Sequence, residues 1–267
     1  MNTTTYYGID IAKNVFQLHW VDAETGEVFS KQIKRAKFLE HFASRSSCVI
    51  GMEACGGAHH WARRLMGMGH RVKLMSGKAV KAFVSGNKKD SADALGIWLA
   101  VQQPKVKAIA VKTEAQQAVL YLHRMRQQLV KLLTMQSNSL RGLLAEYGEV
   151  MGLRRAALND GIKDVLARLA ERLPSILIDT LRCQWNMLGA LDAQINDIEQ
   201  RLQAWMKQDK ACRAIADIPG VGLLTATAAV ATMGDANTFK SGPRVRSVDW
   251  VSARPNGHRR KDSTPGN

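Results

Sequence analysis

Four acidic side chains sit where solubility alone does not account for them. Asp10 interrupts GIDIA, a run otherwise apolar or small. A charge in the middle of a strand is costly unless it is paired or bound to a metal. Alternation sets Gly8 and Asp10 on one face of that strand and Ile9 and Ile11 on the other. Glu53 closes the apolar run CVIGM. Asp90 and Asp93 stand three residues apart in NKKDSADALGI, on one side of a helix start. Simpler roles exist for three of them: Asp90 as an N-cap, Asp93 as its partner in the first turn, Glu53 as a strand-end residue. Asp10 is the hardest of the four to account for in such a way. If the strands carrying Asp10 and Glu53 are neighbours and the helix packs on that edge, all four carboxylates converge. Such a cluster repels itself and suits hard divalent cations, magnesium above all, which keeps water and substrate phosphates as its other ligands. Two ions roughly 3.5–4 Å apart stabilise the attacking and leaving oxygens of a phosphoryl transfer. Lys13, Lys88 and Lys89 are then expected to touch the nucleic-acid backbone beside the metals.

The bulk composition agrees with a nucleic-acid partner. Lys and Arg number 38 against 23 Asp and Glu, a net charge of +15 over 267 residues. That excess favours a polyanion, with a merely soluble basic protein as the alternative. No run approaches the ~18 apolar residues of a membrane span. The start, MNTTTYY, is polar and leads straight into a strand, which is not a signal peptide. Cys48, Cys55, Cys183 and Cys212 lack metal-type spacing and read as reduced thiols of a cytosolic protein. Cys55, although near Glu53, reads as a small buried residue.

Residues 1–112 read as α/β. TYYGIDIAK, VFQLHWVD and VFSKQI form a three-stranded meander, with ETGE as a turn. RAKFLEHFASR has helical spacing, SCVIGMEA is a strand, HHWARRLMGMGH a helix closed by Gly69, and RVKLMSG a strand. KAVKAFVSG is a short helix, the next helix runs from NKKDSADALGI to about Ala100, and KVKAIAV is a last short strand. Three antiparallel strands followed by alternating helices and strands is the order of a ribonuclease-H-like sheet.

Residues 113–210 read as almost entirely helical. Val119, Leu122, Leu129, Leu132, Leu133, Leu140, Leu143 and Tyr147 share one face. EVMGLRRAALNDGIKD, with Gly152 and Gly161, is expected to separate two long helices. Ile178, Leu181, Trp185, Leu188, Ile195, Ile198, Leu202 and Trp205 step by threes and fours, a heptad-like seam. It fits a coiled coil, which would carry the dimer contacts, or a helix packed within its own domain. Residues 211–242 begin a further domain. IADIPGVGLLTATAAVA reads as helix, Pro-Gly-x-Gly turn, helix, in which Gly220 and Gly222 allow close backbone approach and the next helix offers free N–H groups. This pattern fits a helix-hairpin-helix gripping phosphate backbone, or an ordinary helix–helix turn.

GIDIAKN, MEACGGAHHWARRL, NKKDSADALGI and IADIPGVGLLTATAAVATMGD stand in the order and spacing of one transposase group. The chain resembles the transposases of insertion-sequence family 110, especially the 1111 subgroup, from about Tyr6 to Gly242. The resemblance implies a RuvC-like N-terminal domain, related to Holliday-junction resolvases, with an Asp-Glu-Asp-Asp metal tetrad. By motif match the tetrad falls on Asp10, Glu53, Asp90 and Asp93. It implies a second domain opened by the glycine hairpin, and a serine further downstream that joins covalently to DNA. It also implies DNA of the element and its target as partners, in some relatives a guide RNA, assembly into homo-oligomers, and residence in the bacterial cytoplasm at the nucleoid.

The resemblance stops after FKSG, at Phe239 to Gly242. PRVRSVDWVSARPNGHRRKDSTPGN follows, rich in Arg and Pro and without amphipathic period. Relatives continue with a segment like REFAAWIG and then one like TGTGGK. Writing PRVRSVDWV as CCG CGA GTT CGC AGC GTG GAT TGG GTC and starting one nucleotide later gives Arg-Glu-Phe-Ala-Ala-Trp-Ile-Gly. The same frame through NGHRRKDSTPG gives Thr-Gly-Thr-Gly-Gly-Lys-Thr-Arg-Leu-Leu-Gly with permitted codons. A frameshift near codon 242 is therefore expected, leaving residues 243–267 as a disordered out-of-frame tail. None of Ser241, Ser247, Ser252 and Ser263 receives the nucleophile's role, so complete transposition is not expected of this chain.

Four functions remain in play: an incomplete transposase, a non-catalytic DNA-binding remnant that regulates full-length transposase, a metal-dependent nuclease or junction resolvase, and a sugar-kinase-like ATPase. GIDIAKN also resembles the first strand of the last, but no second phosphate-binding glycine motif accompanies it.

Overall fold

The computed structural model describes residues 4–84 and 90–233, with only the backbone of Asp90. The chain divides into two compact units after Glu114.

The first unit is a five-stranded sheet. Its strands are β1 (Tyr6–Ile11), β2 (Val15–Val21), β3 (Val28–Lys34), β4 (Val49–Glu53) and β5 (Arg71–Met75). Their order is β3-β2-β1-β4-β5. The first three pair antiparallel, while β4 lies parallel to β1 and β5 parallel to β4. This is the mixed sheet expected of a ribonuclease-H-like domain. Tight connections make the meander: Asp22 Oδ1 accepts the N–H groups of Glu24 and Thr25 at 3.0 and 2.9 Å, and Gly26 takes the left-handed conformation there at φ 72°.

The alternation of β1, β2 and β4 divides the sheet into two faces. Tyr7, Ile9, Phe16, Leu18, Ile50 and Met52 are buried on one, under α1 (Phe38–Ala43) and α2 (Ala58–Gly67), where Phe38, Phe42, Trp61 and Leu65 complete the core. Gly8 and Gly51 open the other face to α4 (Asp90–Val101). A methyl on Gly8 would lie 2.3 Å from the Ala94 carbonyl oxygen and 2.4 Å from the Trp98 nitrogen, so the helix backbone rests on the strand itself. Between β5 and α4 comes the short α3 (Gly77–Lys81), capped by Ser76 Oγ on the Ala79 N–H.

KVKAIAV is not a strand. It makes one isolated antiparallel bridge, Leu74 to Ile109. Side chains of α2 satisfy the backbone just beyond it: Arg63 Nη1 donates to the Lys112 carbonyl at 2.6 Å, and His59 Nδ1 accepts the Lys112 N–H at 3.2 Å.

The second unit is helical, with α5 (Glu114–Glu146), α6 (Arg155–Ala170), α7 (Ser175–Gln208), α8 (Lys210–Ala216) and α9 (Leu223–Met233). The Gly152–Gly161 stretch expected to be a separator is only partly one. Gly148, at φ 84°, ends α5, but Gly161 lies inside α6. A mid-helix glycine costs about 1 kcal/mol against alanine. Burial of Leu158, Ile162, Val165, Leu166 and Leu169 offsets that cost.

The α7 seam is covered from within the chain. Ile178, Leu181 and Leu188 pack with α6 and with Leu140 and Leu144 of α5, and Ile198 and Leu202 pack with Val119 and Ala231. Of the two arrangements the spacing fits, these contacts are those of a helix packed within its own domain. The α5 face is less uniform than its periodicity suggests, since Leu132 and Leu143 remain exposed.

Candidate metal centre and nucleic-acid surfaces

The parallel pairing of β1 and β4 sets Gly8 opposite Gly51 and Ile9 opposite Met52. One step further in that register brings Asp10 beside Glu53, on the face that α4 covers. Neighbouring strands are about 4.8 Å apart, within side-chain reach. Both carboxylates are half-buried. Burial raises the thiol pKa of neighbouring Cys55, and the charges of Glu53 and Asp10 raise it further. The Glu53 carboxylate also lies close to Gly77, where a methyl would stand 2.6 Å from its Oε1.

Asp93 and the backbone of Asp90 lie in the first turn of α4. Trp98 Nε1 donates to the Tyr6 carbonyl at 3.1 Å while Ala94 lies over Gly8. The helix therefore runs antiparallel to β1, and its N-terminal end, with Asp90 and the half-buried Asp93, points toward the Asp10 end of the strand. The Asp90 side chain, Lys88 and Lys89 lie outside the described residues. Among the described residues no group of three or more His, Cys, Asp or Glu side chains is placed to hold a metal ion. The structure thus brings together the two strand carboxylates, and the closed tetrad is not present among the described side chains. The donor chemistry of this edge suits a hard cation: Asp10 and Glu53 offer carboxylate oxygens, and the neighbouring Cys55 thiol is pushed toward its neutral form.

Lys13 is exposed in the β1–β2 turn, and its carbonyl accepts from Arg35 Nη1 at 3.4 Å. In the second unit, α8 and α9 flank a turn in which Gly220 is left-handed at φ 85° and the Val221 N–H reaches the Ile218 carbonyl at 3.0 Å. A methyl on either Gly220 or Gly222 would meet nothing within 4 Å, so the backbone there is open to approach. Sequence reasoning missed Gly51, Gly77 and Arg35. The two-residue spacing of Gly51 and Glu53 repeats that of Gly8 and Asp10 and could have flagged Gly51; no local signal marks Gly77.

A family model described as Transposase, of the DEDD type of IS110, matches residues 7–149. The chain belongs to the IS110 transposase family. It is 37% identical over 252 residues to a probable family 20 transposase of Pseudomonas aeruginosa, covering 94% of this chain and 74% of that one. To the transposase for insertion sequence element IS1111A of Coxiella burnetii it is 39% identical over 233 residues, 87% of this chain and 64% of that one. To the transposase for IS1328 of Yersinia enterocolitica the identity is 32% over 246 residues, 90% and 71% of the two chains. This IS110-family chain thus spans about two thirds of the length of these relatives. Among solved structures, T. thermophilus RuvC in complex with a Holliday junction substrate aligns with a TM-score of 0.28 and 14% identity, over 40% of this chain and 99% of that one. So slight a likeness carries no argument. Among the described residues no helix is long and apolar enough to cross a membrane.

Proposed function

We propose that this chain is an incomplete transposase, which engages DNA of an insertion sequence through a magnesium site formed by Asp10, Glu53, Asp90 and Asp93 and does not complete transposition by itself. The observation that carries this reading is the register of β1 against β4, which sets Asp10 beside Glu53 in a chain of the IS110 family. When bound, magnesium would supply charge stabilisation to the oxygens of a phosphodiester. The chain's own part is positioning. Gly77 leaves room for the Glu53 carboxylate, and α4 carries two further acids toward the same edge. Lys13, Lys88 and Lys89 bind backbone phosphates beside the acids, and the turn at Gly220 and Gly222 grips a second stretch of backbone through its N–H groups. No serine of this chain is assigned as nucleophile. A guide RNA and assembly into a homo-oligomer extend the same reading, with the site of action the cytoplasm.

The test is calorimetric titration with magnesium or manganese beside cleavage of branched DNA. Wild type should take up the ion, and Asp10→Asn should abolish both uptake and cleavage. Uptake or cleavage unchanged by that substitution would sink the proposal. DNA binding without cleavage in wild type would instead identify a non-catalytic binder.

A further inference from the structure

The side of the sheet under α1 and α2 carries a groove that the acidic site does not use. Its volume is about 670 Å³, within the range of small-ligand sites. Val15, Leu39 and Trp61 supply apolar lining, and Asn14, Lys34 and Arg35 supply polar groups. The Arg35 guanidinium sits 5.0 Å over the Trp61 ring and 5.8 Å over Phe16. Arg35 and Lys34 are exposed, while Trp61 is 7% exposed and held in the core. Among the described residues neither Lys34 nor Arg35 has a salt-bridge partner. The groove thus presents two cations without a salt-bridge partner among the described residues, beside an apolar wall.

We infer that this groove holds one unpaired nucleotide of the DNA strand engaged at the acidic edge, an inference that rests on the DNA reading above. Three features select that occupant. The charge of Lys34, which has no salt-bridge partner among the described residues, calls for an anion, which the phosphate supplies. The Arg35 guanidinium, over the Trp61 ring, offers a plane on which a base lies, as bases do on arginine and aromatic planes. The Asn14 amide offers both a donor and an acceptor to a base edge. A paired base has its faces covered by its neighbours, so the recess suits a base turned out of the stack. Position supplies the link to the acids. Asn14 is four residues beyond Asp10, so the chain between their α-carbons spans no more than about 14 Å. Asp10 faces α4, while Phe16, on the strand that follows Asn14, faces the groove side of the sheet.

The test uses the full 267-residue chain and fluorescence anisotropy at fixed salt. The probes are a labelled thymidine strand, the same strand with abasic sugars, its matched duplex, and free thymidine monophosphate. Arg35→Ala should weaken binding of the thymidine strand about tenfold, equivalent to ~1.4 kcal/mol. It should change abasic-strand and duplex binding by less than about twofold, because the stacked base carries the difference. Arg71→Ala removes one exposed charge from β5, away from the groove lining, and should affect the three polymers alike. Equal losses on all three polymers from Arg35→Ala would reduce the groove to general charge and overturn the inference. So would no loss at all, or tight binding of the free monophosphate with no gain for the strand. Asp10→Asn should leave the thymidine preference intact. If cleavage proves independent of Asp10 while that preference holds, the metal reading falls and the groove stands.

Discussion

The Glu53 carboxylate lies against the α-carbon of Gly77: a methyl built there would stand 2.6 Å from Oε1 and 3.1 Å from Cδ. The end of β4 and the start of α3 thereby set one proposed metal ligand beside a position without a side chain. Gly77→Ala should displace this carboxylate without unfolding the domain, because the atoms it meets are the far end of a flexible side chain. The expected stability loss is about 1 kcal/mol or less, with divalent-ion uptake weakened at least about tenfold, ~1.4 kcal/mol. Thermal melting beside calorimetric titration checks both. Unimpaired uptake would show that the position of Glu53 does not matter to the site.

Gly8→Ala should behave in the opposite way. The added methyl meets backbone, 2.3 Å from the Ala94 carbonyl oxygen and 2.4 Å from the Trp98 nitrogen. Neither atom moves without shifting α4, so the cost should reach about 3 kcal/mol, the upper range of overpacking. A denaturant melt that matches wild type would refute the close seating of α4 on β1.

The strap at Lys112 predicts an acid-sensitive first unit. Burial, then the charges of Lys112 and Arg63, lower His59 from 6.5 to about 4, where its neutral Nδ1 accepts the Lys112 N–H. His41 is lowered to about 4 as well, by burial and then by Arg45 and Lys31. Both folded values lie below the unfolded one, so the unfolded chain binds protons that the folded chain refuses. Stability should hold above about pH 6.5 and fall between there and about pH 4. His59→Asn should flatten that slope in melts taken across the window; an unchanged slope would place the acid sensitivity elsewhere.

The helical unit should depend on its seam within a single chain. Leu202 is fully buried with Val119 and Ala231. Leu202→Ala should cost about 2–5 kcal/mol through the cavity it leaves. Because the partners belong to the same chain, the loss should not vary with protein concentration. A loss that vanishes at high concentration would return the seam to the interface between copies.

Residues 243–267 lie outside the described structure, and the proposal about them is tested on DNA. The gene, read one nucleotide on from the codon of Pro243, should encode Arg-Glu-Phe-Ala-Ala-Trp-Ile-Gly and then Thr-Gly-Thr-Gly-Gly-Lys. Codons that give other residues in that frame would dispose of the frameshift.

Much of this protein was legible without coordinates, for reasons visible residue by residue. Each strand from β1 to β5 is a short apolar or alternating run bounded by turn residues, so five of six expected strands appear. The sixth, KVKAIAV, has the alternation but makes only one bridge, and α2 side chains from far away in the chain hold the backbone just after it. Gly161 reads locally as a helix breaker, and only the apolar partners of α6 keep it helical.

Asp10 stood out from GIDIA because a strand period exposes a misplaced charge, and Asp90 with Asp93 because a helix period pairs them. Local periods of this kind are written in consecutive residues and survive in any context. Whether Asp10 meets Glu53 depends on the register between strands about forty residues apart, which side-chain alternation alone leaves open. The same holds for the groove, assembled from Asn14, Arg35 and Trp61, and for the α7 seam, whose heptad spacing is identical whether its partner is another copy or the chain's own α5 and α6. Period is a property of the neighbouring chain; partnership is settled by packing at a distance, where the free energy of burial chooses among surfaces that look alike in sequence.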